Sequence, residues 1–423
     1  MSCMGKSQPR WERVRVRGKL MRIAFFTNCY KPLINGVVTS IISLKEAYER
    51  KGQEVYIFAP RVEGYIDQEK NIFRYRSINL TNKVKYPIAI PLSFRVKKVI
   101  TEFNPDIVHV HHPFILSSQA IMYGEKFGIP KILTLHTQYD QYAYYAAPLP
   151  QKLTQEVIKK IVSNLADKTD CITTPSESMK TLIKNYGIKN RIEVIPNAIE
   201  LNSFQEKNER KCSEIKKRYN LKEDEKIILF VGRVASEKSI DKIIKALGII
   251  KKQGISKTKL LIVGNGPARE ELTHLVQALG VEEEVIFCGE VNYEEIRYYY
   301  KIADVFTMTS TSESFGIVTI EALASGLPVL AVKASGAMDI LTDGFDGLLT
   351  DDNIEHFAKA LEKIIRDPEL RERLSKGALK TSAKYSINMI SERMLNLYRE
   401  IIAIQKFKGK EKKSFIKNIY LKR

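Results

Sequence analysis

The segment Gly232-Arg233-Val234-Ala235-Ser236-Glu237-Lys238 directly follows the expected strand Lys226–Val231, whose apolar run Ile227–Val231 has the length of a buried strand. Arg233 brings a planar fork of donors and Lys238 a point charge, a pairing suited to a diphosphate whose charge grows as it leaves. A surface loop with two ordinary cations is the plainer reading, and the place at a strand end weighs against it. A second segment, Ser310-Thr311-Ser312-Glu313-Ser314-Phe315-Gly316-Ile317-Val318-Thr319-Ile320-Glu321, follows the run Asp304–Thr309. Glu313 falls in the loop, and Glu321 about one turn into the next helix. The N–H groups around Phe315, Gly316 and Ile317 open that helix and have no intrahelical acceptor. A carboxylate in such a loop can accept from sugar hydroxyls, and one a turn further along can reach a ribose. An isolated pair at this spacing would be a helix cap and a solvent charge. The flanking Ser-Phe-Gly and Ala-Ser-Gly-Leu-Pro argue against that here.

The first half of the chain has its own set. Asn35-Gly36 closes the turn Asn28–Val37 just before a helix, where N–H groups and the macrodipole favour phosphate. Taken alone, Asn-Gly is more often a tight turn, and the segment is not GxGxxG. Asp106–Pro113 ends a strand with His109, His111 and His112. His109 is expected in packing, while His111 and His112 could face a ligand. Adjacent strand residues point to opposite faces, which argues against a shared metal. His136 stands at another strand end, where ligand-facing residues collect. It is followed by Tyr139, Tyr142, Tyr144 and Tyr145, whose apolar bodies and polar tips could form an acceptor lip or simply pack. No DxD follows a strand, so neither a metal nor a cofactor is expected.

These residues need a frame that carries loops to one place. Short apolar runs alternate with amphipathic stretches along nearly the whole chain, which implies βαβ units, parallel sheets and helices on both faces. The charged stretch Glu200–Glu225 has no clear strand and marks the junction of two such series. The expected division is a basic leader over 1–20, a first Rossmann-like domain over 21–203, a second over 204–385, a crossover helix over 386–406 and a basic tail over 407–423. Ligands of such sheets bind beyond the carboxyl ends of the strands, so two facing domains would enclose a cleft.

Composition bounds the rest. At 423 residues the chain is long for one core. No stretch approaches the roughly 20 apolar residues of a membrane span. Five scattered cysteines without CxxC spacing fit a reducing cytoplasm. The net charge of +19 admits nucleic acid, an anionic membrane or an acidic substrate. No nucleic-acid-binding module is recognisable, and the cations are spread over many units, so no nucleic-acid partner is expected. The tail from Lys406 to Arg423 and the segment Phe73–Ile100, with Arg74, Arg76, Lys83, Lys85, Arg95, Lys97 and Lys98, interleave cations with apolar residues. Both suit an anionic lipid surface, although a solvated tail is equally compatible.

Together these stretches resemble the retaining glycosyltransferases of family 4, whose fold is called GT-B. The resemblance runs from about Met21 to Gly409 and rests on PLINGVV, VIPNAI, GRVASEK, VGNGPARE and the ADVF…TSESFGIVTIEALASGLPV block, in the expected order. It implies a C-terminal helix, Ile387–Ile404, crossing back onto the first domain. It implies a donor diphosphate held by Gly36, Arg233 and Lys238, and a donor sugar held by Glu313 with backbone groups of Phe315, Gly316 and Ile317. Glu321 would bind the ribose, and Gly264, Asn265, Gly266 and Pro267 would lie by the nucleotide. Within the family, INGVVTS and HTQYDQYAYY are similar to the wording of diacylglycerol glucosyltransferases, although Ala143-Tyr144-Tyr145 departs from a pattern with His before the last Tyr. That implies a metal-independent transfer of glucose from UDP-glucose to diacylglycerol by a cytoplasmic enzyme at the inner membrane surface, with His136 orienting sugar and acceptor. The same chemistry on a soluble acceptor, or mannosyl transfer from GDP-mannose to a phospholipid, is the alternative.

Overall fold

Short segments of three to seven residues, most of them apolar, become the strands of two sheets, as expected of segments covered by helices on both faces. The structure is a computed structural model and describes residues 20–33, 35–78, 87–139, 150–206 and 208–420.

The first series runs β1 (Arg22–Phe26), α1 (Gly36–Arg50), β2 (Glu54–Pro60), β3 (Ile72–Tyr75), β4 (Ser77–Ile78), β5 (Ile88–Ala89), α2 (Phe94–Phe103) and β6 (Ile107–Val110). It continues through α3 (Ile115–Phe127), β7 (Lys131–Thr134), α4 (Gln151–Ala166), β8 (Cys171–Thr174), α5 (Glu177–Asn185) and β9 (Ile192–Val194). Its seven-stranded sheet has the order β3-β2-β1-β6-β7-β8-β9, and β4 and β5 form a separate antiparallel ribbon. Two helices, α6 (Leu201–Gln205) and α7 (Glu209–Arg218), occupy the charged stretch between the series.

The second series is β10 (Lys226–Val231), α8 (Ile240–Lys252), β11 (Thr258–Val263), α9 (Arg269–Leu279), β12 (Val285–Gly289), α10 (Tyr293–Ile302) and β13 (Val305–Met308). Then come α11 (Ile317–Ala324), β14 (Val329–Val332), α12 (Ser335–Met338), β15 (Gly347–Thr350), α13 (Ile354–Arg366) and α14 (Pro368–Ser382). Its six strands lie in the order β12-β11-β10-β13-β14-β15. All pairings in both large sheets are parallel. The order reverses between β1 and β6 in one sheet and between β10 and β13 in the other, which are the switch points where such sheets bind ligands.

The last helix, α15 (Ile387–Tyr420), returns to the first sheet. Ile387, Ile390, Met394, Leu395, Tyr398 and Ile401 share a core with Ile41, Leu44 and Tyr48 of α1. At its start, Ile387 N–H donates to the Ile199 carbonyl at 2.9 Å, and Ile199 N–H donates to Tyr385 at 3.0 Å. The helix backbone continues well past Ile404, through the basic residues expected as a separate tail.

Within the segment Phe73–Ile100, Arg74 departs from the expected surface, Arg76, Arg95, Lys97 and Lys98 are exposed, and Lys83 and Lys85 lie outside the described residues. The segment opens as the edge strand β3, whose four residues carry no clear alternation, and closes as α2. Arg74 faces inward, not toward a surface: its side chain is 13% exposed and forks onto Asp67 at 2.6 and 2.8 Å. It also donates to the Lys31 carbonyl at 2.7 Å, which ties down the loop before α1. Among the described residues no helix is long and apolar enough to cross a membrane.

Candidate functional site

The loops at the two switch points meet. Asn35 caps α1 by accepting from Val38 N–H at 2.9 Å, and the helix has no acidic residue in its first turn. Across from it, α11 starts at Gly316, whose φ of +69° a side chain would strain, and neither a side-chain cap nor a first-turn acid is present there. A Cβ built on Gly36 would touch Ile317 Cγ2 at 3.5 Å. Two uncapped-by-acid N-termini therefore converge, each favouring an anion through its N–H groups and dipole.

The Gly232–Lys238 loop is pinned beside them. Thr309 Oγ1 donates to the carbonyls of Lys238 and Ser239 at 3.1 and 2.8 Å, and Ser310 Oγ to that of Glu237 at 2.9 Å. Lys238 Nζ pairs with the Glu313 carboxylate, a contact between residues 75 apart in the chain. Gly336 backs the Glu313 loop so closely that a Cβ there would sit 2.4 Å from the Glu313 carbonyl oxygen. The Arg233 side chain is about half exposed, with Nη1 4.0 Å from Glu237.

Beside this loop lies the turn after β11. Val234 N–H donates to the Asn265 carbonyl at 3.1 Å, and Gly264 N–H to that of Gly289 at 2.8 Å. A Cβ on Gly264 would fall 1.9 Å from Gly232 O, and one on Gly266 2.2 Å from Val234 O. The glycines of Gly264-Asn265-Gly266-Pro267 are thus demanded by backbone stacked on backbone.

Glu321 is 2% exposed, on the inner side of α11. Tyr293 donates to its Oε1 at 3.1 Å and Tyr300 to its Oε2 at 2.9 Å. Burial pushes this carboxyl up to about 7, while the two phenols pull the other way. Phe315 is buried and meets Tyr385 edge-on at 5.8 Å, so only its backbone is offered to the loop region.

On the first sheet the histidines are buried. His109 bonds Tyr398 Oη of α15 and Thr134 Oγ1, both at 2.5 Å, and so serves packing as expected. His112 Nδ1 lies 3.1 Å from Thr27 Oγ1. His111 Nδ1 lies 3.1 Å from His136 Nε2, and both residues line a small cavity with Ser40, Asn197 and Met394. Burial drives His111 and His136 well below the usual range, with neighbouring histidines adding to the effect; Asn197 opposes it at His136. Both rings are therefore neutral near pH 7. Among the described residues no three His, Cys, Asp or Glu side chains are grouped to hold a metal ion. Tyr139 is 7% exposed and packs edge-on against Phe114, within the core and not on an open lip. Tyr142 and Tyr145 lie outside the described residues.

Contacts that sequence reading missed join the halves. Gln138 N–H donates to Ser314 Oγ and Ser176 Oγ to the Ser314 carbonyl, each at 3.2 Å. Asp339 accepts from Ser178 N–H at the start of α5, at 3.3 Å. Tyr293 and Tyr300 were missed as well, although their seven-residue spacing on α10 was a readable signal.

Residues 34–203 match the family described as Glycosyltransferase Family 4, and residues 212–381 that described as Glycosyl transferases group 1. An alpha-monoglucosyldiacylglycerol synthase of Streptococcus pneumoniae is 30% identical, over 83% of this chain and 80% of its own. That of Acholeplasma laidlawii is 28% identical, over 90% and 98%. A GDP-mannose-dependent alpha-mannosyltransferase of Corynebacterium glutamicum is also 28% identical, over 91% and 90%. Among solved structures, Anabaena Alr3699/HepE in complex with UDP superposes with a TM-score of 0.73 at 19% identity, covering 90% of this chain and 100% of its own. Sucrose-phosphate synthase of Thermosynechococcus elongatus gives 0.74 at 22%, covering 91% and 100%. These two likenesses concern the fold.

Proposed function

The chain belongs to the glycosyltransferases of family 4, and from that premise we propose that it transfers glucose from UDP-glucose to 1,2-diacylglycerol with retention at the anomeric carbon. The observation that carries the reading is the meeting of α1 and α11 N-termini beside Lys238 and Glu313. Such a place holds a diphosphate and, next to it, a hydroxylated ring.

In this reading Arg233 and Lys238 bind the diphosphate with the N–H groups at Gly36 and Ile317. Glu313 accepts from sugar hydroxyls, with the backbone of Phe315 and Gly316 alongside. Glu321 accepts from the ribose, and the turn Gly264–Pro267 lies by the nucleotide. The bond from the anomeric carbon to the diphosphate oxygen breaks as the acceptor oxygen bonds the same face of that carbon. The acceptor proton passes to the departing phosphate oxygen. Double displacement would need a nucleophilic carboxylate under the sugar and an acid about 5 Å away. With Glu313 on the hydroxyls and Glu321 buried against two tyrosines, neither fills that role, which favours front-face transfer. The fixed cations and helix N-termini stabilise the growing diphosphate charge. His136, neutral and locked by His111, positions the sugar and acceptor.

The lipid acceptor is supported by the relatives named alpha-monoglucosyldiacylglycerol synthases and by the outer face of the first sheet. Leu92 and Phe94 are 80% and 93% exposed beside the exposed Arg95, Lys97 and Lys98. Along α4, Leu153, Val157 and Ile161 form an exposed stripe at four-residue spacing. Such a face suits an anionic bilayer, with the enzyme bound peripherally. The test is transfer from UDP-glucose, with GDP-mannose in parallel, to diacylglycerol in anionic vesicles containing EDTA. A glucosylated lipid supports the whole reading. Slow hydrolysis of UDP-glucose without a lipid product removes the lipid acceptor and leaves the cleft. Mannosylated phospholipid instead would replace both donor and acceptor; a relative named for a GDP-mannose donor makes that donor the one to run in parallel.

A further inference from the structure

The motif reading uses Glu321 and leaves the tyrosines of α10 without a role. Tyr293 and Tyr300 are seven residues apart, two turns, so both leave α10 on one face. That face meets α11, and the phenols reach different oxygens of one carboxylate, at 3.1 and 2.9 Å. The tyrosine between them at position 299 turns elsewhere, to Tyr219 at 3.0 Å. Tyr300 is 1% exposed and wedged among Phe204 and Phe306.

A carboxylate buried among such neighbours takes up a proton unless donors hold it ionised. Here the donors are two neutral O–H groups. The strands β13 and β14 and the helix α6 carry no charged residue. On α10, Lys301 bonds the Ser325 carbonyl at 3.3 Å. On α14, Arg371 holds the carbonyls of Ile364 and Ile365, while Arg373, Lys376 and Lys380 are exposed. Each phenol spends one proton, and an ionised carboxylate has about four acceptor sites, so two remain for a ligand.

We propose that Tyr293 and Tyr300 are positioning residues that hold the Glu321 carboxylate ionised and aimed, so that it accepts from the ribose hydroxyls of a nucleoside diphosphate. The proposal rests on the reading of Glu321 as the ribose acceptor. Tyr293 stands at the first turn of α10, half-buried, and holds Oε1. Tyr300 holds the other oxygen from two turns deeper. Removing either phenol weakens the ionised form, and the carboxylate is regained by raising the pH.

The test is calorimetric titration of UDP and 2′-deoxy-UDP, at pH 6.5 and 8.5, into the full chain and its Tyr293→Phe, Tyr300→Phe and Glu321→Gln variants. Each phenylalanine variant should bind UDP about 10-fold more weakly at pH 6.5, the worth of one hydrogen bond to a charged group. At pH 8.5 the loss should shrink, and binding of 2′-deoxy-UDP should change less at either pH. A merely structural role would move neither the pH dependence nor the preference for the 2′-hydroxyl. Phenylalanine variants that match the parent with both nucleotides at both pH values, while Glu321→Gln loses the preference, would overturn the positioning role alone. A Glu321→Gln variant that keeps the parent's preference would overturn the ribose reading and the proposal with it. Melting curves identify a variant that fails to fold, and half-buried Tyr293 provides the test should Tyr300→Phe do so.

Discussion

Replacing Lys238 with Ala separates a catalytic cation from a structural one. The Lys238 and Glu313 side chains are 23% and 20% exposed. Their pair is thus neither a solvated one, worth about 0.2–1 kcal/mol, nor a dry one, whose rupture costs about 3–5 kcal/mol. A stability coupling of about 1–3 kcal/mol is expected between the two positions, read from urea unfolding of Lys238→Ala, Glu313→Gln and the double variant. Activity should respond on a different scale. Loss of one fixed donor to charge that develops in the transition state lowers kcat by about 10²–10³. Lys238→Ala should therefore show that drop in UDP-glucose turnover while binding acceptor vesicles as the parent does. A variant that loses the coupling energy yet keeps the parent's kcat would refute the reasoning and make Lys238 a mere partner of Glu313.

Three other changes are worth making. Gly264→Ala places a Cβ 1.9 Å from Gly232 O at a φ of +131°, and should destabilise the fold by about 3 kcal/mol or more and raise the donor KM, as unfolding and kinetics would report. Phe94→Glu should weaken co-sedimentation with anionic vesicles about tenfold, given about 1.5–3 kcal/mol for burying such a ring, with UDP binding unchanged. His109 is buried and neutral, held down to about 3 by loss of solvent, whereas the unfolded chain takes its proton near pH 6.5. Its contribution is therefore complete above pH 6.5 and is lost as pH falls toward 3. Melting temperatures at pH 7.5 and 5 should show a larger acid loss for the parent than for His109→Gln.

The chain's order of strands and helices is a local matter, and the sequence by itself determined it. Lys226–Val231 is apolar from Ile227 onward and became β10 with those bounds, because a parallel strand buried on both faces needs no alternation. The motif loops could be placed for the same reason: each follows such a run, so parallel pairing carries all of them to the carboxyl edges. Short or weakly patterned pieces escaped, as with β3, whose four residues become a strand only because β2 offers them a partner. What only the tertiary structure decided is which side chains meet across long stretches of chain. Lys238 finds Glu313, His109 finds Tyr398 at a separation of 289 residues, and Glu321 turns inward to Tyr293 and Tyr300. Tyr139, which as sequence suits an open lip, closes against Phe114. Residue type and periodicity give the face a side chain leaves from, but its partner there depends on how α10, α11 and α15 are set against the sheets, a packing outcome that no single segment encodes.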